Sequence, residues 1–166
     1  ERWHHEVDLK NMVNSGREWY GEELTSFAPQ QTFQIPATDL LPNSTVKLTS
    51  AVMANSPIGS SFVVRLNNVV QGSHDVSGRG TFNYHPEGVN GVLHFSPSLG
   101  SLGYTNDLTV SYTYQPNGSS SATGYLNYFT LSAQRQLKIY GNQTSFRSLA
   151  SRQQAATTFQ ISGVVG

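Results

Sequence analysis

The sequence predicts an all-β fold, a β-sandwich of jelly-roll type with about seven to ten short antiparallel strands. Apolar and β-branched residues recur at alternate positions, which is typical of strands. Turn-forming stretches rich in Ser, Thr, Asn and Gly separate these runs. The only stretch with helical composition, residues 145–156, has a weak apolar stripe and predicts one short turn at most. At 166 residues, the chain has the size of one domain, and we expect a single domain over 1–166.

The first 29 residues predict an opening strand and then a long ordered loop. Apolar residues alternate over 3–9, where the neighbouring His4 and His5 would point to opposite faces of a strand. Residues 11–29 hold Trp19 and Tyr20 between two glycines without a sustained period. We therefore expect an ordered excursion here.

The middle of the chain contains the clearest strands. Alternation over 46–53, 62–66 and 108–114 predicts three strands with one face toward the core, and 89–95 predicts another. Asn67-Asn68 predicts a turn. The stretch around His74-Asp75 is rich in Gly and Ser, which favours an exposed polar turn over a metal site. The residues predicted to face the core are Val46, Leu48, Ser50, Val52, Phe62, Val64, Leu66, Leu108, Val110, Tyr112 and Tyr114.

Two strands are predicted after residue 120. In the first, over 125–136, strict alternation would place Tyr125, Asn127, Phe129 and Leu131 on one face. Leu126, Tyr128 and Thr130 would then lie on the opposite face. The second strand, over 157–161, would close the chain. We interpret both termini as cuts within a longer exported polypeptide.

Composition excludes several function classes. Charged residues make up 12% of the chain, the net charge is zero, and the cations are scattered, so no nucleic-acid partner is expected. No apolar run approaches the roughly 20 residues that a membrane helix needs, so no membrane insertion is expected. Because the chain has no cysteine, thiol catalysis and thiolate metal binding are excluded.

The residues do not predict any catalytic, cofactor or metal site. No serine has the flanking glycines of a hydrolase nucleophile elbow. The acidic residues are too isolated to predict a calcium loop, and Glu22-Glu23 would diverge. One alternative function is a carbohydrate-binding module of a secreted polysaccharide-acting protein, with aromatic side chains as the sugar platform. A structural adhesin-like repeat unit is disfavoured, because no repeat is visible.

Three segments together resemble a known family. The first is Gly-Arg-Glu-Trp-Tyr-Gly-Glu-Glu-Leu at 16–24, followed by Thr-Phe-Gln-Ile-Pro at 32–36, and the second is Phe-Val-Val-Arg-Leu-Asn at 62–67. The third is Gly-Tyr-Leu-Asn-Tyr-Phe-Thr-Leu-Ser-Ala-Gln-Arg-Gln-Leu at 124–137, followed by Tyr-Gly-Asn-Gln at 140–143 and Ser-Phe-Arg at 145–147. In order and spacing they are similar to the region ahead of the peptidase domain in the PorU sortases of the type IX secretion system of Bacteroidota. These sortases are gingipain-type cysteine peptidases. The resemblance covers residues 16–161.

The resemblance implies an accessory domain of an exported enzyme at the outer-membrane surface of a Gram-negative bacterium. The parent would remove C-terminal sorting signals from secreted cargo and attach that cargo to surface lipopolysaccharide. The family's catalytic Cys and His lie in the peptidase domain, so no catalytic residue is carried over. The expected partners are the catalytic domain of the same chain, secretion-system components or cargo proteins.

Within the first segment, Arg17, Trp19, Tyr20 and Glu22 form the candidate interaction loop. Trp, Tyr and Arg are the usual anchors of protein interfaces, and glycine lets a chain lie against another backbone. We predict either a docking element or a structural one. In the structural interpretation, Trp19 fills an edge of the sandwich and Arg17 pairs with Glu22 or Glu23.

Overall fold

The structure is a computed structural model that describes residues 1–13, 16–80, 86–148 and 150–164. It divides into two compact units, Glu1–Gln134 and Arg135–Gly166. The first unit contains all nine strands of the described residues. No helix in these described ranges is long and apolar enough to cross a membrane.

The strands of the first unit form two antiparallel sheets, as predicted. One sheet has the order β1-β9-β4-β7, with the short β2 also pairing with β9, and the other has the order β3-β8-β5-β6. When β1 and β2 are taken together as one interrupted edge strand, each sheet has four strands, as in a jelly roll. The strands are β1 Arg2–Glu6, β2 Glu23–Leu24, β3 Gln30–Pro36, β4 Lys47–Asn55, β5 Ser60–Leu66, β6 Val69–Val76, β7 Val89–Phe95, β8 Asp107–Gln115 and β9 Thr123–Ser132.

The core lies between the two sheets and confirms the predicted inward faces of β4, β5 and β8. Every residue predicted to face the core from these strands is buried, including the polar Ser50. Tyr112 and Tyr114 are buried with Phe62 and Phe129 among the largest side chains. Burying one such ring stabilises the fold by about 2 kcal/mol. The alternation of apolar residues therefore explains why the two sheets pack face to face.

The β5–β6 hairpin confirms the turn predicted at Asn67-Asn68. Both residues have positive φ, 48° and 65°. A two-residue hairpin turn of type I′ requires this conformation at both central positions, and asparagine tolerates it well.

The predicted faces of β9 are partly wrong. Leu126 is fully buried in the main core with Phe129 and Leu131, whereas strict alternation placed it on the opposite face. The register shows the reason: Val52 pairs with Leu126 and Ala51 with Tyr128, which leaves Asn127 as an extra residue. This β-bulge reverses the alternation, because it inserts one residue into one strand of the pair.

The interpretation of His74 as part of an exposed turn is wrong. His74 lies in β6 and is only 2% exposed. Gly72 and Ser73 resemble a turn in sequence, but a Cβ at Gly72 would lie 2.9 Å from the Phe95 ring. The glycine is therefore explained by close packing between strands, not by a turn.

The second unit has little regular structure. A 3₁₀-helix spans Ala150–Gln153, in agreement with the one short turn predicted in this stretch. The strand predicted over 157–161 is absent, since regular pairing there is limited to an isolated parallel bridge between Lys138 and Ser162. Alternating apolar residues predict a strand only where a neighbouring strand supplies hydrogen bonds.

Candidate docking loop

A bridge between Lys10 and Tyr20 joins the two sides of the candidate loop. The two residues exchange backbone hydrogen bonds of 2.8 Å in both directions. Inside the loop, the Asn11 side chain donates to the Gly16 carbonyl at 2.7 Å and accepts from the Val13 amide at 3.1 Å. These bonds connect residues within the described part of the loop. Within the predicted excursion of 11–29, the short β2, Glu23–Leu24, pairs with β9.

Gly21 lets the end of the loop lie against the sheet. Its amide donates to the Leu126 carbonyl at 2.7 Å. A Cβ at this position would lie 3.0 Å from the Val7 carbonyl oxygen and 3.2 Å from that of Leu126. The predicted role of glycine in close backbone approach is thus confirmed here.

Tyr20 anchors the loop on the outer face of the sheet that contains β4 and β9. Its ring is buried against Met53 and Tyr125. Its hydroxyl donates to the Glu18 carboxylate at 2.8 Å and lies 3.1 Å from the side-chain oxygen of Asn90. Burial, together with the Glu18 carboxylate, raises the pKa of Tyr20 to about 12. Tyr20 is therefore a neutral structural anchor at physiological pH.

Glu22 and Glu23 both bind groups of the sheet. A Glu22 carboxylate oxygen lies 2.8 Å from His5 Nε2, and the other oxygen is buried without a hydrogen-bond partner. Tyr125 donates its hydroxyl to Glu23 at 3.1 Å. Burial and the Glu23 charge raise the pKa of Tyr125 to about 12. Since both carboxylates have these partners, the predicted pairing of Arg17 with Glu22 or Glu23 is not observed.

The four predicted site residues thus fall into two pairs. Tyr20 and Glu22 hold the loop against the sheet, while Arg17 and Trp19 are exposed. Trp19 keeps 46% of its surface accessible, so it does not fill an edge of the sandwich. Of this pair, Arg17 lines an open cavity of about 340 Å³, together with Met12, Glu18, Tyr20 and Asn90, among others.

Two features of the first unit were not predicted from the sequence. Phe27 is 96% exposed on a turn in which the Thr25 hydroxyl accepts from the Phe27 and Ala28 amides. In the core, the Tyr112 hydroxyl donates to Ser50 Oγ at 3.0 Å, and Ser50 Oγ lies 2.9 Å from His74 Nε2. Thr25 could have signalled the turn, because a threonine hydroxyl can accept from backbone amides two or three residues on. Only the strand register reveals the buried polar chain.

Burial is the main influence on the titration of this polar chain. It lowers the pKa of His74 to about 4, although the charge of Asp75 acts in the opposite direction. Burial likewise raises the pKa of Tyr112 above its ordinary value. His74 is therefore a neutral hydrogen-bonding group at pH 7. Nowhere in the described ranges do three or more His, Asp or Glu side chains come together where they could hold a metal ion.

Comparison with known proteins reveals similarity of fold only. No protein-family model matches the sequence, and no curated protein matches it either. A solved structure of dimeric latent PorU from Porphyromonas gingivalis aligns with a TM-score of 0.70 and 20% identity, over 85% of this chain. The chain spans 13% of that PorU chain.

Two structures of carbohydrate-binding modules align less closely. A CBM36 module in complex with calcium and xylotriose has a TM-score of 0.47 and 14% identity, over 78% of this chain and 88% of the module. The CBM36-1 domain of a multidomain xylanase from the hindgut metagenome of Trinervitermes trinervoides has a TM-score of 0.42 and 11% identity, over 80% and 98%. The fold that the comparisons establish for this chain is a β-sandwich similar to one part of the PorU chain.

Proposed function

We propose that this chain is a non-catalytic accessory β-sandwich domain of a PorU-like cell-surface sortase, a cysteine peptidase that processes and anchors type IX secreted proteins. The observation that supports the proposal most strongly is the alignment of 85% of this chain with part of PorU at a TM-score of 0.70. The motif order over residues 16–137 supports the same parent.

In this proposal, the domain binds the catalytic domain of the same protein through the exposed pair Arg17 and Trp19. Tyr20 and Glu22 fix the loop, so the exposed pair is already ordered before binding, which reduces the entropy cost of association. Trp and Arg are the side chains that most often dominate the energy of an interface. The cavity beside Arg17 offers space for a side chain of the partner.

A binding experiment tests this assignment. The domain is titrated by calorimetry into the separately produced peptidase domain of a PorU-type sortase from the same genome. We expect saturable binding that Trp19→Ala weakens at least about tenfold, a loss of about 1.4 kcal/mol. Phe27→Ala is the matched control, because Phe27 is an exposed aromatic residue on a different turn. No binding by the native domain, or equal binding by the two variants, would contradict the proposal.

The alternative function is a carbohydrate-binding module, and the loop cavity is the observation that favours it. Its lining combines the polar residues Glu18 and Asn90 with Tyr20, and the exposed Trp19 lies between Glu18 and Tyr20 in the chain. Saturable quenching of tryptophan fluorescence by a soluble glycan, lost in Trp19→Ala, would support this alternative. It would also count against docking through the same residues.

A further inference from the structure

The segment of residues 135–164, termed here the basic segment, has an unusual charge distribution. Residues 135–166 contain four cations, Arg135, Lys138, Arg147 and Arg152, and no Asp or Glu. All ten acidic residues and the other six cations lie in residues 1–134, so the net charges of the two parts are −4 and +4. The zero net charge of the whole chain conceals this asymmetry.

The basic segment also has apolar side chains but no core of its own. None of its described residues is buried. Phe146 and Phe159 form a ring pair with centroids 5.0 Å apart, yet they remain 45% and 40% exposed. Ile161 is 40% exposed as well. An exposed pair of aromatic rings in contact is the kind of apolar feature that interaction sites present.

Local contacts give the segment a defined shape. The Ile139 amide donates to the Ser162 carbonyl at 2.9 Å, and the Ser162 amide donates to the Leu137 carbonyl at 3.2 Å. The Arg135 guanidinium lies 3.3 Å from the centre of the Tyr140 ring, a cation–π contact. These contacts join both ends of the segment, so the aromatic pair and the cations are presented on an ordered chain.

We infer that the basic segment is a docking surface for an acidic, partly apolar surface of a partner protein. Charge complementarity selects the sign of the partner: Arg147 and Arg152 are exposed, and no carboxylate occurs within the segment. Desolvation of the Phe146–Phe159 pair would supply the apolar part of the binding energy. The inference does not depend on the identity of the parent enzyme.

A protein surface fits this segment better than other polyanions do. Nucleic-acid binding depends on densely clustered cations that neutralise successive phosphates, whereas these four cations are spread over 18 residues. Binding to an anionic membrane depends on a basic amphipathic helix or a tight polybasic cluster. The regular helix described in this segment is the four-residue Ala150–Gln153.

Site-specific photo-cross-linking in the producing cells tests the inference. The probe is benzoylphenylalanine in place of Phe146, in the full chain. We expect a discrete protein adduct whose cross-linked peptide lies on a surface rich in Asp and Glu. The double variant Arg147→Glu with Arg152→Glu should reduce the adduct at least about tenfold, and circular dichroism should confirm that it remains folded. The same probe in place of Phe27, an exposed phenylalanine of the other unit, is the matched control and should not yield this adduct.

Three results would overturn the inference. One is the absence of a discrete protein adduct from position 146. Another is an adduct that persists undiminished after charge reversal or that forms equally from position 27. The third is an adduct with nucleic acid or lipid in place of protein. It would show that the basic segment binds a different class of partner.

Discussion

Residues 1–134 and residues 135–164 are ordered in different ways. In the first unit, two sheets enclose a continuous core that contains Phe62, Tyr112 and Phe129. In the second, ordering depends on a few backbone hydrogen bonds and a cation–π contact, and none of the described side chains is buried. Since apolar burial is the dominant favourable contribution to folding, the stability of the chain resides in the first unit. The second unit contributes exposed side chains and little buried apolar surface.

The largest difference in stability between the two units is expected when a core aromatic side chain is replaced by alanine. Phe62→Ala should lower the free energy of unfolding by about 3–5 kcal/mol, because Phe62 is fully buried between the sheets. Phe146→Ala, the matched change in the second unit, should lower it by less than about 1 kcal/mol. Urea denaturation measures both variants, and equal losses would show that the second unit also contributes core stability.

The second prediction concerns the dependence of stability on pH. Because the pKa of His74 falls from 6.5 to about 4 on folding, only the unfolded chain binds the proton between these values. Stability from this group is present above pH 6.5 and falls by about 3 kcal/mol as the pH drops toward 4.

Urea denaturation at a series of pH values checks this sign and window. His74→Gln should flatten the slope between pH 4 and 6.5. An unchanged slope in His74→Gln would mean that another group causes the acid destabilisation.

The third prediction concerns the loss of stability when a side chain is added at a glycine in β9. A Cβ on Gly124 would lie 2.6 Å from the Phe62 ring and 2.8 Å from the Tyr114 ring. Gly124→Ala should therefore cost about 1–3 kcal/mol in thermal or urea unfolding. Gly59→Ala is the control, since the nearest atom to its Cβ is 3.6 Å away. A neutral Gly124→Ala would indicate that the core is looser here than the distances imply.

The smallest stability effect is expected at the docking loop. Trp19→Ala should change the free energy of unfolding by no more than about 0.5 kcal/mol, because Trp19 is half exposed and is not part of either buried cluster. A loss above about 2 kcal/mol would instead support the structural interpretation of this residue. If Trp19→Ala keeps its stability, a loss of binding by this variant can be assigned to the missing side chain and not to unfolding.

The sequence was informative where local preference and tertiary packing agree. Alternation identified β4, β5 and β8, and the paired asparagines identified the β5–β6 turn. Sequence alternation gave the wrong face where a neighbouring strand determines which side chains are buried. The extra residue Asn127 reverses the faces of β9, and the partner strands bury His74.

The candidate loop shows the same limit. Its composition predicted an ordered element with interface-type residues. Only the contacts of Tyr20 with Asn90 and of Glu22 with His5 distinguish the residues that anchor the loop from those that face outward. Asn90 lies 70 residues from Tyr20 in β7, and His5 lies 17 residues from Glu22 in β1, so no local pattern could identify these partners.

The most direct test of the difference between the two units is to end the chain at Gln134. We expect residues 1–134 to unfold cooperatively in urea, with a free energy of unfolding within about 1 kcal/mol of that of the full chain, since no described side chain after Gln134 is buried. A truncated chain that is unfolded, or less stable by more than about 2 kcal/mol, would contradict the assignment of stability to the first unit.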